Sequence, residues 1–176
     1  MANSLSVKPN SSATLPAGEV KSVSEADWKF RQTAGQFARS GYSIAGPLSV
    51  EQLSRCTEDG TGVEGASGGV AALVASSRDR SGFTVSVAAT LELTCQSCAE
   101  RFAMPVDSQS TIFVARDAAE LAGWEDEVFE SIEATEKTSA LELVEDELLL
   151  AVPYVPRCET CEALLSSGKP RVHEFN

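Results

Sequence analysis

The sequence predicts an α+β fold: an antiparallel β-sheet flanked by two or three short helices, with its far end stapled by a metal. Three observations carry this. Phe83, Val85, Val87, Ala89, Leu91 and Leu93 alternate with polar or small residues, the period-two pattern of a half-buried strand. Ser139, with Glu142 three positions on, opens an apolar run (Leu141, Val144, Leu148, Ala151) at helical spacing, which closes before Pro153. Four of the five cysteines fall in two C-x-x-C pairs, Cys95/Cys98 and Cys158/Cys161.

The first 22 residues are rich in Ser, Ala, Asn and Pro without periodicity and are expected to form a flexible tail, with one short strand near Leu5–Val7. Ser24 and Asp27 cap a short helix over about 25–34, stopped by Gly35, with Trp28 and Phe37 as core anchors. Tyr42, Ile44 and Leu48 suggest a strand, with Gly46-Pro47 read as its end or a turn. Ser49 and Gln52 cap a short helix carrying Leu53 and Cys56, and 57–66 reads as a loop. Gly69–Ser76 is a small-residue strand, and 78–82 a turn before the long alternating strand.

After Cys95–Cys98, Phe102, Met104 and Val106 alternate again and Thr111–Ala115 continues, so the first C-x-x-C sits at the tip of an antiparallel hairpin. The meander could curl towards a barrel. Residues 117–127 are acidic and read as an insertion or surface loop, and Val128, Phe129 and Ile132 as a further strand. Beyond the helix, Pro153–Pro156 runs extended into the second C-x-x-C. The expected organisation is therefore a tail over 1–22, one domain over 23–163, and a second flexible tail over 164–176.

At 176 residues the chain suits one domain with a real core. Its 26 acidic against 14 basic residues give a net charge of −12, the wrong sign for general RNA binding and the right one for attracting cationic partners. No run of apolar residues is long enough to span a membrane, and Met1–Val20 lacks the apolar core of a secretory signal, so a cytoplasmic protein is expected.

Without a secretory signal the cysteines read as metal ligands before disulfides. Two C-x-x-C turns match a closed four-cysteine site for a structural Zn²⁺, because each turn converges two sulfurs while backbone amides steady their charge. Four thiolates and one Zn²⁺ carry −2, and Arg101 and Arg157 stand beside the pairs to offset it. Thiol-redox dithiols and an iron–sulfur cluster are the alternatives; neither pair is expected to begin a helix in a βαβ unit, where a low thiol pKa would arise. Cys56 reads as a small buried hydrophobe.

Catalysis finds little support. The sole histidine, His173, lies near the chain end, and no phosphate-binding glycine motif is present. Glu145, Asp146 and Glu147 point in different directions on a helix and are not an acid–base pair by spacing. No catalytic residue is assigned.

Three segments carry a family resemblance: Thr90–Phe102 with its strand and C-x-x-C, Leu143–Pro156 with its acidic helix running into Pro153-Tyr-Val-Pro156, and Ala38–Gly46. Together, over roughly residues 25–162, they resemble the YceD-type large ribosomal RNA subunit accumulation proteins. The resemblance implies a non-catalytic ribosome-biogenesis factor supporting synthesis, processing or accumulation of large-subunit (23S) ribosomal RNA. On charge, Glu142, Glu145, Asp146 and Glu147, with Asp117, Glu120, Glu125, Asp126 and Glu127, are candidate contacts for a basic ribosomal protein or pre-ribosomal particle. Arg101, Arg157, Lys169 and Arg171 would form a local RNA-facing patch if the cysteine pairs meet. A thiol-redox or metal-binding protein built on the same cysteines is the competing functional reading.

Overall fold

The computed structural model describes residues 23–58, 61–77, 81–124 and 129–167. Two sheets organise them. A five-stranded sheet has the order β2 (Ser43–Leu48), β3 (Val63–Ser76), β4 (Gly82–Thr94), β5 (Arg101–Ala115) and β6 (Glu130–Glu133), and a two-stranded one pairs β1 (Arg31–Thr33) with β7 (Lys137–Ser139). Five helices accompany them: α1 (Glu25–Lys29), α2 (Ala34–Phe37), α3 (Ala118–Ala122), α4 (Ala140–Ala151) and α5 (Glu159–Ser166).

Strands β2 to β5 form the expected antiparallel meander. β6 departs from it by pairing parallel to β5, with Ile112 opposite Glu130 and Ala115 opposite Glu133. A parallel neighbour cannot be reached by a tight turn. The acidic segment read as an insertion supplies part of the crossover, with α3 capped by the Asp117 side chain at 2.9 Å from the Glu120 amide. The result is an α+β fold with a mixed sheet, and no closed barrel forms among the described residues.

The long alternating strand is β4, whose Phe83, Val85, Val87, Leu91 and Leu93 are buried. Its hairpin with β5 keeps unbroken register from Gly82↔Phe113 to Thr94↔Arg101. β3 is longer than predicted and starts at Val63, inside the expected loop. It is kinked where the register shifts between Ala66 and Val70, at Gly68 (φ 79°) and Gly69 (φ 81°), left-handed positions that glycine fills without penalty. Gly46-Pro47 does not end its strand: both residues lie within β2. β2 is an edge strand, so the missing proline N–H can face outward without breaking a ladder.

The first predicted helix is shorter than expected. Ser24 caps α1 through a reciprocal box with Asp27, but the chain turns extended at Phe30 and Arg31–Thr33 pairs with 137–139 instead. Ser139 and Glu142 form the capping box of α4. α4 lies across the sheet, burying Leu141, Val144 and Leu148 in one core with Trp28, Phe37, Leu48, Val74 and Phe83. Phe37 packs on Phe83 with ring centroids 5.3 Å apart and meets Tyr42 edge-on at 5.1 Å. The helix expected around Leu53 and Cys56 is two 3-10 turns, Val50–Gln52 and Ser54–Thr57. α5 carries helix to Ser166, through the first residues assigned to the second tail. The strand expected near Leu5–Val7 lies outside the described residues. No described helix is long and apolar enough to cross a membrane.

Trp28 is 2% exposed and joins α1 to the core beside β2, where Gly46 leaves room for its ring. Trp28→Ala is expected to lower unfolding free energy by about 3–5 kcal/mol, read by urea denaturation.

Candidate metal centre

The β4–β5 hairpin sets the position of the first cysteine pair. Thr94↔Arg101 is the last cross-strand pair, and the Cys95 N–H then donates to the Glu100 carbonyl at 2.9 Å, closing the tip. Within it the Ala99 N–H donates to the Cys95 carbonyl at 2.8 Å, and the Ser97 N–H donates to Cys95 Sγ at 3.4 Å. The tip therefore turns amides inward onto sulfur, an arrangement that favours thiolate. The turn forces Ala99 to φ 61°, the only left-handed non-glycine among the described residues.

The second pair arrives from α4. That helix stops at Ala151, and the Pro156 carbonyl accepts a hydrogen bond at 2.9 Å from the Gln96 N–H, latching the incoming chain onto the hairpin tip. Cys158 then occupies the N-cap of α5, and Cys161 is the one buried residue of that helix. The sulfurs of Cys95, Cys98, Cys158 and Cys161 all lie within 4.8 Å of one another.

The two pairs, expected to form one site, thus converge on one point, and none of the four side chains is in a disulfide. The spacing discriminates among occupants. A tetrahedral ion with metal–sulfur bonds of about 2.3 Å holds its sulfurs about 3.8 Å apart, and Cys98 Sγ stands 3.8 Å from Cys158 Sγ. A cluster of several irons draws its thiolates onto different metal atoms and needs them further apart. The donor set fits a single soft or borderline ion and leaves no open position for a catalytic water.

The electrostatics agree with a thiolate site. Burial pushes the Cys95 thiol up, but amides of Cys158, Ser97 and Cys98 together with the Cys98 side chain pull it down to about 6. At Cys98 the Glu100 amide favours thiolate, yet proximity to Cys95 and Cys158, with burial, leaves the group raised: adjoining sulfurs resist a second negative charge. Arg157 Nε is buried with no hydrogen-bond partner, a cationic N–H held at the residue before Cys158. The Arg157 guanidinium also approaches Glu162 at 3.8 Å, and Arg101 pairs with Glu64 at 3.4 Å. Lys169 and Arg171, the other members of the basic patch, lie outside the described residues. One part of the sequence argument against redox chemistry is corrected: the second pair does open a helix, although not within a βαβ unit.

The acids of α4 expected as partner contacts are not all at the surface. Glu145 and Glu147 are 3% and 4% exposed. Glu145 accepts the Arg55 N–H at 3.0 Å, and Glu147 accepts the Ser108 hydroxyl. Glu142 accepts from the Ser139 amide and the Thr138 hydroxyl, each at 3.0 Å, and pairs with Arg31. Burial opposes ionisation of Glu142, yet these donors hold its carboxyl below the usual range. Asp146 remains at the surface, 2.7 Å from Arg55. Of the second acidic segment, Glu120 pairs with Arg116, and 125–127 lie outside the described residues. Cys56 is buried, its thiol 3.7 Å from the Glu145 carbonyl that accepts from it and pushed up to about 12 by burial and by Glu145, against the pull of Arg55.

A family model described as "Large ribosomal RNA subunit accumulation protein YceD" matches residues 83–174, which takes in β4 onward and both cysteine pairs. No curated protein and no solved structure matches the chain.

Two outcomes follow from this geometry. Ala99→Gly removes the left-handed penalty of about 1–2 kcal/mol that a Cβ incurs, so it should raise the thermal midpoint of the metal-loaded chain. Glu145 behaves differently. Burial, with Asp146 and Glu142, raises its carboxyl, while Arg55 pulls it back. A native pKa above the unfolded one means that ionised Glu145 costs stability, which returns as pH falls through the native value. Glu145→Gln should therefore exceed wild type in urea midpoint at pH 7, with the gap closing as pH falls through the native value. Glu145→Ala should lose about 1–3 kcal/mol by orphaning the Arg55 amide.

Proposed function

The chain belongs to the YceD family of large ribosomal RNA subunit accumulation proteins, and we propose that it is a metal-binding member whose Cys95, Cys98, Cys158 and Cys161 hold one structural Zn²⁺. The observation that carries this is the approach of all four sulfurs to within 4.8 Å, from segments far apart in sequence. The ion supplies a positive centre for thiolates that otherwise repel one another. The chain's own contribution is a preformed tip, a Gln96–Pro156 latch and the buried Arg157 cation. Thiols held for a metal belong in a reducing compartment, which supports a cytoplasmic location.

YceD-type proteins are accumulation factors rather than enzymes, and this chain is a non-catalytic member. We extend to it the role that the family's name describes: support of large-subunit ribosomal RNA, through a basic ribosomal protein or pre-ribosomal particle. The net charge of −12 favours such a protein contact over direct RNA binding. The metal in this reading is structural: it holds the end of the domain in place.

A thiol-redox role is the second reading, favoured by Cys158 at a helix start and by the Cys95 thiol at about 6. Replacing Cys95 and Cys158 with Ser separates the two. A structural ion predicts loss of bound zinc and a lower thermal midpoint, matched in wild type by a strong chelator. Wild-type melting in the variant, with thiol turnover abolished, would establish the redox role instead. For the ribosomal role, depletion should lower the ratio of large- to small-subunit ribosomal RNA, restored by the wild-type chain. An unchanged ratio would remove that role and leave the metal site standing.

A further inference from the structure

A cleft of about 470 Å³ runs between α4 and strands β4 to β6, well within the range of ligand sites. Its apolar walls include Val85, Ile112, Leu143 and Leu149, and its rim carries Leu150, which is 71% exposed. Glu147 lines the same cleft at 4% exposure. One of its oxygens accepts the Ser108 hydroxyl, and among the described residues no cation pairs with it. Buried carboxylates are ordinarily paired, because an isolated charge in an apolar setting is costly. Arg55, the basic residue of the lining, is already paired within the cleft: its guanidinium meets Asp146, also of the lining, at 2.7 Å, and its amide meets Glu145. Glu130 adds a further acid on the β6 side.

A cleft with apolar walls and a buried carboxylate that no cation pairs with is complementary to one kind of group, a cation on an aliphatic stem. We propose that this cleft receives a lysine or arginine side chain from a basic protein segment, the stem lying along Leu143, Leu149 and Leu150 and the cationic head meeting Glu147. Long cationic side chains divide in this way between apolar surface and charge. The site is separate from the cysteine cluster and gives the partner a point of entry. It rests on the ribosomal reading for the identity of the natural partner, not for the chemistry of recognition.

The test titrates the zinc-loaded, isotope-labelled full chain with Nα-acetyl-lysine methylamide, with its uncharged norleucine counterpart, and with spermidine, following amide shifts by NMR. The lysine amide should move Ser108, Ile112, Glu130 and Leu150, and norleucine amide should not. Glu147→Gln keeps an acceptor for Ser108 and should weaken lysine binding at least about tenfold, whereas Glu58→Gln, at an exposed acid outside the cleft lining, should leave it unchanged. Leu150→Ser at the exposed rim should weaken it too, which guards against a folding defect in the first variant. Equal losses from Glu147→Gln and Glu58→Gln would reveal only the general acidic field and overturn the site. Tighter seating of spermidine than of the lysine amide would overturn the peptide occupant. If depletion leaves the ribosomal RNA ratio unchanged while lysine amide still seats at Glu147, the ribosomal reading fails and the cleft stands. If the ratio falls and no probe seats there, the reverse holds.

Discussion

Four cysteine sulfurs drawn within 4.8 Å are the constraint on which the described end of the chain depends. Thiolates at such distances repel, and nothing apolar in four sulfurs compensates for assembling them. A bound cation would resolve the conflict, and would do so across a wide interval, since Cys98 and Cys158 are 60 positions apart. In the chain-entropy account, a covalent cross-link over a loop of that size removes about 4 kcal/mol of unfolded-state freedom, and a metal clip acts on the same quantity. α5 illustrates the dependence: Cys161 is its one buried residue, while Leu165 stands 56% exposed. The helix is held to the domain chiefly through the cysteines that begin it.

The cluster in turn depends on the sheet and on α4. An unbroken β4–β5 register delivers the tip as a rigid element, and α4 delivers the second pair to the same point. α4 is itself fixed by polar contacts as well as by its apolar face. Glu142 closes its N-terminus against Ser139 and Arg31, Glu145 takes the Arg55 amide, and Glu147 takes the Ser108 hydroxyl of β5. Acids that would have made an electrostatic surface serve orientation instead, and Glu147, which no cation pairs with among the described residues, opens onto a cleft. In our proposal, partner recognition thereby moves from a diffuse charged face to a defined groove.

Features that report local chemistry were legible in the sequence. The β4 alternation, the capping boxes at Ser24, Ser49 and Ser139, the hairpin carrying Cys95–Cys98, and the anchors Trp28 and Phe37 each follow from neighbours within a few residues. Non-local features were not. Pro47 looks like a strand end until β2 is known to be an edge, and Arg31–Thr33 continues a helix until Lys137–Ser139 is there to pair with it. The parallel β6 turns an apparent insertion into a crossover. Glu145 and Glu147 read as surface contacts because their partners, Arg55 and Ser108, lie far away in sequence. The convergence of the two cysteine pairs was legible through chemistry rather than pattern: four thiols in two matched turns match the donor set of one tetrahedral ion.

The most direct measurement is X-ray absorption at the metal edge of the purified full-length chain. A single zinc surrounded by four sulfurs at about 2.3 Å is the predicted result. A metal–metal scattering shell, nitrogen or oxygen in the first coordination sphere, or a chain that folds with the thiols free and no metal bound would contradict it.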